Sequence, residues 1–291
     1  MKLISFGEII WDVYPDKATL GGAPLNFAVH SALQGCDTAL ISCVGDDEMG
    51  NRALCEIKKL GVDVSYVYVD RENETGKCTV SLNSEGIPTY TIAKVSAYDF
   101  IRLQEDMAEG YDALSFGTLA LRYESNRKVL GDLISKYSFK EIFTDLNVRM
   151  PFCSAEAVKF CFENATTVKV SDEELPAVSE FLLNKTLEIE DFVKAVSQKY
   201  KNVSLILITK GGDGSVCYEC KSGRFINCPA APANVVSTVG AGDSFGATFL
   251  CEYMRCTDIS SALFKASKVS AYVVSYKEAV PSGMSNFLKS I

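Results

Sequence analysis

Short apolar runs rich in β-forming residues alternate with helical patterns along most of this chain, and that alternation admits few architectures. Parallel strands joined by crossover helices, with helices covering both faces of the sheet, are the expected outcome. Strands are expected at 3–6, 38–44, 113–116, 141–144, 167–170 and 205–209, and helices at 25–34, 49–60, 126–137, 155–163 and 189–200. With 47% hydrophobic residues over 291 positions, the sequence can fill the buried layers of such a fold. No internal repeat, low-complexity tract or long linker divides it, so residues 1–291 are expected to form a single domain.

One region breaks the alternation. Residues 78–83 and 89–93 are β-rich and flank Ser84-Glu85-Gly86-Ile87-Pro88, which reads as a hairpin. With the extended segment 9–14 it is expected to form a small subsidiary sheet, suited to a lid over a pocket or to an oligomer contact. A second hairpin is expected over 215–227.

The chemistry concentrates in Val236-Ser237-Thr238-Val239-Gly240-Ala241-Gly242-Asp243-Ser244-Phe245. Gly240 and Gly242 permit a close backbone approach and conformations that a side chain would forbid. The amides of Gly240, Ala241, Gly242 and Asp243 then lie at a helix N-terminus, where unpaired N–H groups and the macrodipole favour phosphate. A carboxylate there would repel phosphate, so Asp243 is read as a base acting on a neighbouring hydroxyl. The same residues also suit an ordinary helix start with Asp243 as its cap.

Other polar clusters fall at the ends of expected elements, where ligands bind in open α/β sheets. Asp12 and Asn26 suit sugar hydroxyls, with Gly21 and Gly22 allowing close approach. Asp145-Leu146-Asn147-Val148-Arg149 and Thr209-Lys210-Gly211-Gly212-Asp213-Gly214 each follow an apolar strand. A net charge of -8 weighs against nucleic acid or an anionic membrane as partner. No apolar stretch has the length of a membrane span, and the N-terminal run is too short for a signal peptide. Eleven scattered cysteines fit reduced thiols in the cytoplasm. Cys217 and Cys220 match Cys-x-x-Cys without a second pair, which favours a plain strand over a metal or redox site.

The order of these elements resembles the ribokinase-like sugar kinases of the PfkB family: Gly-Gly-x-x-x-Asn at Gly21 to Asn26, Asp-x-Asn-x-Arg at Asp145 to Arg149, Thr-x-Gly-x-x-Gly at Thr209 to Gly214, and Gly-Ala-Gly-Asp at Gly240 to Asp243. The likeness runs essentially end to end, and residues 7–16, 20–28 and 116–120 are most similar to fructokinases. It implies a ribokinase-like three-layer α/β/α domain with a mostly parallel central sheet and a small β lid from about 9–20 and 75–95. It also implies ATP-dependent transfer of a phosphoryl group, with Mg²⁺, to a hydroxyl of a small sugar, fructose first. No P-loop motif is present, which disfavours that class of kinase.

On this resemblance Asp243 takes the proton from the attacking hydroxyl, and the amides of Gly240, Ala241 and Gly242 stabilise charge on the transferred group. Asp12, Gly21, Gly22 and Asn26 match sugar-contacting positions, and Arg149 a position facing substrate or phosphate. Lys169, Thr209, Gly211 and Gly214 make up the nucleotide-binding set, and Glu174 is linked to Mg²⁺ through water. The small sheet is a candidate homodimer contact. Three positions depart from the family pattern. Ser171 replaces a common Asn, Ser237 replaces the Asp that opens the glycine motif, and Glu278 stands where Gly is usual. Ser237 and Glu278 weigh against a K⁺ site. Other readings are a kinase for ribose, a nucleoside or 2-keto-3-deoxygluconate, and a sugar- or nucleotide-binding homologue without catalysis.

Overall fold

Backbone amides in a strand buried on both faces have no acceptor except a neighbouring strand, so the apolar runs of this chain can be buried only as a sheet. The computed structural model describes residues 1–82, 88–104, 107 and 110–291. It begins with β1 (Lys2–Phe6), β2 (Ile10–Val13), β3 (Ala18–Gly21), α1 (Ala23–Leu33), β4 (Asp37–Gly45) and α2 (Glu48–Lys59). Next come β5 (Val67–Asp70), β6 (Gly76–Leu82), β7 (Pro88–Ile92), β8 (Ala113–Phe116), α3 (Glu124–Lys136) and β9 (Glu141–Asp145). There follow α4 (Ala155–Asn164), β10 (Thr167–Ser171), α5 (Leu175–Leu183), α6 (Ile189–Lys199) and β11 (Leu205–Thr209). The chain ends with β12 (Ser215–Glu219), β13 (Arg224–Cys228), α7 (Ala241–Cys256), α8 (Ile259–Val273) and α9 (Met284–Leu288).

The main sheet runs in the order β13-β12-β11-β10-β9-β8-β1-β4-β5. Pairing is parallel from β11 through β5, and the β12–β13 hairpin adds two antiparallel strands at one edge. Helices α1, α7 and α8 cover one face through Phe27, Phe249 and Leu263, which cluster with Phe143 of β9. Helices α3 to α6 cover the other through Leu130, Val158, Phe162, Val178 and Phe192. This is the expected three-layer arrangement with a mostly parallel sheet. Every expected strand and helix forms, with ends moved by a residue or two. The edge strand β5 and the helices α5, α8 and α9 are additions.

The separate small sheet has the order β3-β2-β6-β7, and its β6–β7 hairpin is antiparallel. The expected turn at Ser84-Glu85-Gly86-Ile87 and the strand end at Asn83 lie outside the described residues. Trp11 anchors β2 to the main body. Its ring is fully buried, its Nε1 donates to Met49 O at 3.0 Å, and Arg52 stacks over it at 4.3 Å. Residues on the inner side of β2 and β3 are thereby held close to the start of α1.

Candidate active site

The C-terminal ends of β9, β10 and β11 and the N-termini of α1 and α7 converge, and the polar residues of the site sit on these ends. Gly22 caps α1 with φ 119, and a β carbon there would meet Glu8 O at 2.4 Å, so only glycine fits. The next amide, Ala23 N, donates to the buried Glu8 side chain at 3.3 Å. Asn26, on the first turn of α1, donates from Nδ2 to Asp243 Oδ2 at 2.8 Å. That bond joins residues 217 positions apart and fixes α1 against the start of α7.

Gly240 is the N-cap of α7, in the left-handed region at φ 77 with no side-chain capping bond. Asp243 is therefore the third residue of the helix rather than its cap. The turn departs from expectation in one respect: Ala241 N donates back to Thr238 O at 3.2 Å. Its amide is engaged within the loop, whereas Gly242 and Asp243 stand where a helix leaves N–H groups without intrahelical acceptors. Those two amides are available to an anion, and among the described residues the Gly240 N–H likewise has no acceptor.

Asp243 is half-buried, yet protein atoms crowd its carboxyl group. Desolvation, reinforced by the nearby Asp145 carboxylate, pushes its pKa up to about 7, against the opposing pull of Asn26, Lys169 and Arg149. A small cavity beside it is lined by Ala23, Pro24, Phe27, Phe116, Gly117 and Asp145. Asp12 lies on β2 opposite Thr19 of β3, with Oδ2 3.4 Å from where a Gly21 β carbon would be, and burial raises its pKa. Arg149 is exposed, and its charge acts on Asp243, Glu8 and Cys78, so it overlooks the same space.

Lys169, expected in the nucleotide-binding set, is buried. The register of β10 on β9 sets it opposite Asp145, and Nζ donates to both carboxylate oxygens at 2.9 and 2.8 Å. Nζ also lies 3.2 Å from where a Gly242 β carbon would be, which puts the cation directly under the glycine turn. Burial works against its charge, but Asp145, Glu174 and Asp243 outweigh it, and the ammonium is held above the ordinary lysine range.

Thr209 ends β11 beside Ser171, with β10 between it and the Asp145 strand. Gly211 and Gly214 follow at φ 50 and 89, and a β carbon on Gly214 would strike Cys228 O at 2.2 Å. These residues lie along the same sheet edge as Asp145 but two strands away. Glu174 accepts from Val148 N at 2.6 Å and from Ser171 N at 2.9 Å, tying the β9 and β10 loops together. Among the described residues no three His, Cys, Asp or Glu side chains are arranged to hold a metal directly. A Mg²⁺ ion would fit these residues only in an outer-sphere mode, as an ion that keeps most of its waters. Cys217 is a buried β12 residue and Cys220 is half-buried just beyond that strand.

Sequence reading did not single out Glu8, the Lys169–Asp145 pairing or His30. Glu8 carries a signal, being the one carboxylate in the first apolar strand-turn; the other two depend on tertiary neighbours.

The family model described as "pfkB family carbohydrate kinase" matches residues 5–285. The chain is 27% identical, over a 311-residue alignment, to the probable fructokinase-5 of Arabidopsis thaliana, with 96% of this chain and 93% of that protein covered. Among solved structures, fructokinase from Vibrio cholerae O395 in its fructose-, ADP- and calcium-bound form superposes with TM-score 0.81 at 23% identity, covering 96% of this chain and 94% of that one. The aminoimidazole riboside kinase of Salmonella enterica, complexed with aminoimidazole riboside and an ATP analogue, gives TM-score 0.81 at 22% identity over 99% and 100% of the two chains.

Proposed function

Because the chain belongs to the pfkB family of carbohydrate kinases, we propose that it phosphorylates fructose with ATP, using Asp243 as general base and the turn before it as anion hole. The observation that carries this reading is the position of Asp243: at the amide-bearing start of α7, oriented by Asn26 at 2.8 Å, with a carboxyl pKa of about 7. A base with that pKa can accept a proton near neutrality and release it afterwards. As the hydroxyl proton passes to Asp243, the sugar oxygen bonds to the γ-phosphorus and the bond to the ADP oxygen breaks. The amides of Gly242 and Asp243, with the Lys169 charge beneath them, stabilise the transferred group, the main task in phosphoryl transfer. Glu174 would hold Mg²⁺ through water, and the bound ion would neutralise phosphate charge.

Asp12, Gly21, Gly22, Asn26 and Arg149 are assigned to the sugar, and Thr209, Gly211 and Gly214 to the nucleotide. We assign the small sheet as a lid over the sugar and as the homodimer contact, and the cytoplasm as the place of action. Fructose is favoured by the names of the similar curated proteins, here the Arabidopsis relative. The full-length likeness to the aminoimidazole riboside kinase favours a nucleoside as the second reading. ADP release measured with fructose, ribose, nucleosides and 2-keto-3-deoxygluconate is expected to give the highest kcat/KM for fructose, and the same rate in Na⁺ as in K⁺. A higher value for another compound would remove fructose. Ligand-induced thermal stabilisation without ADP release for any of them would leave a binding protein.

The raised carboxyl also sets a pH dependence. Asp243 is competent only when deprotonated, so kcat/KM should climb with pH below about 7 and level off above it. A rate profile already flat at about pH 5, where an ordinary carboxylate is ionised, would exclude Asp243 as the titrating base.

A further inference from the structure

The chain's single histidine lies one helical turn beyond Asn26 and is almost fully buried, with 1% of its surface exposed. Its Nε2 stands 2.8 Å from Ala279 O. A carbonyl only accepts, so Nε2 carries the proton and donates it. Desolvation pushes the ring pKa down to about 4, which keeps His30 neutral and in this donating form at working pH. Among the described residues, no other hydrogen bond ties residues 277–280 to the rest of the chain.

Ala279 is in turn the residue packed on Gly240. A β carbon on Gly240 would lie 2.7 Å from Ala279 Cα and 2.8 Å from its carbonyl oxygen, the same oxygen that His30 holds. Residues four apart share a helix face. Two neighbouring side chains of α1 therefore address the turn from different sides: Asn26 orients Asp243, and His30 fixes the segment that backs Gly240.

We propose that His30 is a positioning residue for phosphoryl transfer, acting through Ala279 to hold Gly240 and the following amides where they receive the transferred group. The proposal rests on the reading of that turn as an anion hole. His30 touches no reacting atom; its contribution is the position of the donors. Displacing such donors weakens the transition state more than it weakens sugar binding, because the residues assigned to the sugar lie on β2, β3, the start of α1 and the loop after β9 rather than in the glycine turn.

The test compares His30→Phe, which keeps an aromatic ring and loses the donor, with His30→Gln, which restores an N–H, and runs Asp243→Asn in the same ADP-release assay. His30→Phe is expected to lower kcat about tenfold with the sugar KM unchanged, and His30→Gln to recover most of that loss. If His30→Phe does not fold, His30→Gln is compared with His30→Asn, whose shorter amide cannot reach Ala279 O. A wild-type kcat per folded molecule in His30→Phe, equal kcat in the Gln and Asn variants, or a change confined to sugar KM or thermal stability overturns the proposal. Full turnover in Asp243→Asn would bring down the reading of the site and this inference together. An inactive Asp243→Asn beside normal His30 variants would bring down the inference alone.

Discussion

Replacing Asp243 by asparagine is expected to lower kcat by about 10²–10⁴, the usual cost of losing a general base, while making the ligand-free protein more stable at alkaline pH. Asparagine keeps an oxygen in place to accept from Asn26 Nδ2, so the bond between α1 and α7 survives and sugar binding should be retained. The stability gain follows from the direction of the pKa shift. Burial and the Asp145 charge raise the Asp243 pKa from 3.8 to about 7, so the folded state binds this proton more tightly than the unfolded chain does. Its contribution is therefore fully present below the unfolded pKa and is lost as pH rises through about 7. A shift of roughly 3 units corresponds to about 4 kcal/mol at full burial. Asp243 retains some contact with water, which reduces this to roughly 1–3 kcal/mol. Thermal unfolding of the two proteins should coincide near the unfolded pKa and diverge with rising pH, the variant melting higher. Wild-type turnover in the variant would remove Asp243 as the base. A melting difference independent of pH would show that its charge is not the destabilising element. A functional group kept in its place at the expense of stability is the pattern expected of an active site.

The parts of the molecule that follow from local sequence are those with one way to satisfy themselves. The runs at 113–116 and 205–209 coincide with β8 and β11, because a short apolar stretch bounded by turn residues suits a strand buried on both faces of a covered sheet. The glycine turn is legible for a similar reason: glycines at a helix start mark a backbone that needs φ above zero or close approach, and Gly240, the N-cap of α7, has φ 77. Other elements carry weaker local signals. Strand β5, Val-Tyr-Val-Asp, is an edge strand only partly buried, and α5 begins with Leu-Pro, which reads as readily as a turn. Partnerships were hidden more deeply. Asn26 and Asp243 meet across 217 positions, and His30 and Ala279 across 249, so neither contact exists until α1 packs beside α7. Lys169 joins the nucleotide set only through the family resemblance, and its pairing with Asp145 is decided by the lateral register of β10 on β9, which local sequence does not carry. The inward turn of the Ala241 amide likewise depends on the conformation of Thr238 to Gly240, which residue type alone does not specify.

The pair formed by Lys169 and Asp145 should produce the second large effect. Both residues are buried, 4% and 8% exposed, and Lys169→Met would leave the Asp145 carboxylate without its cation. Breaking a buried pair from one side costs about 3–5 kcal/mol, measurable by chemical denaturation. Adding Asp145→Asn removes the stranded charge and should return much of that stability, since a buried pair replaced as a unit is often close to neutral. The titration of Asp243 reports the same charges with a different sign pattern. Lys169 lowers the Asp243 pKa and Asp145 raises it, Asp145 being the stronger influence. The rising limb of the pH–rate profile should therefore move above about 7 in Lys169→Met and below about 7 in the double variant. Stability thus falls and then recovers across the series, whereas the kinetic pKa goes up and then passes below its starting value. A pair that served only to hold the strands together would reproduce the first pattern and leave the profile where it began, so the opposite movement of the profile is what ties this ion pair to the base at the start of α7.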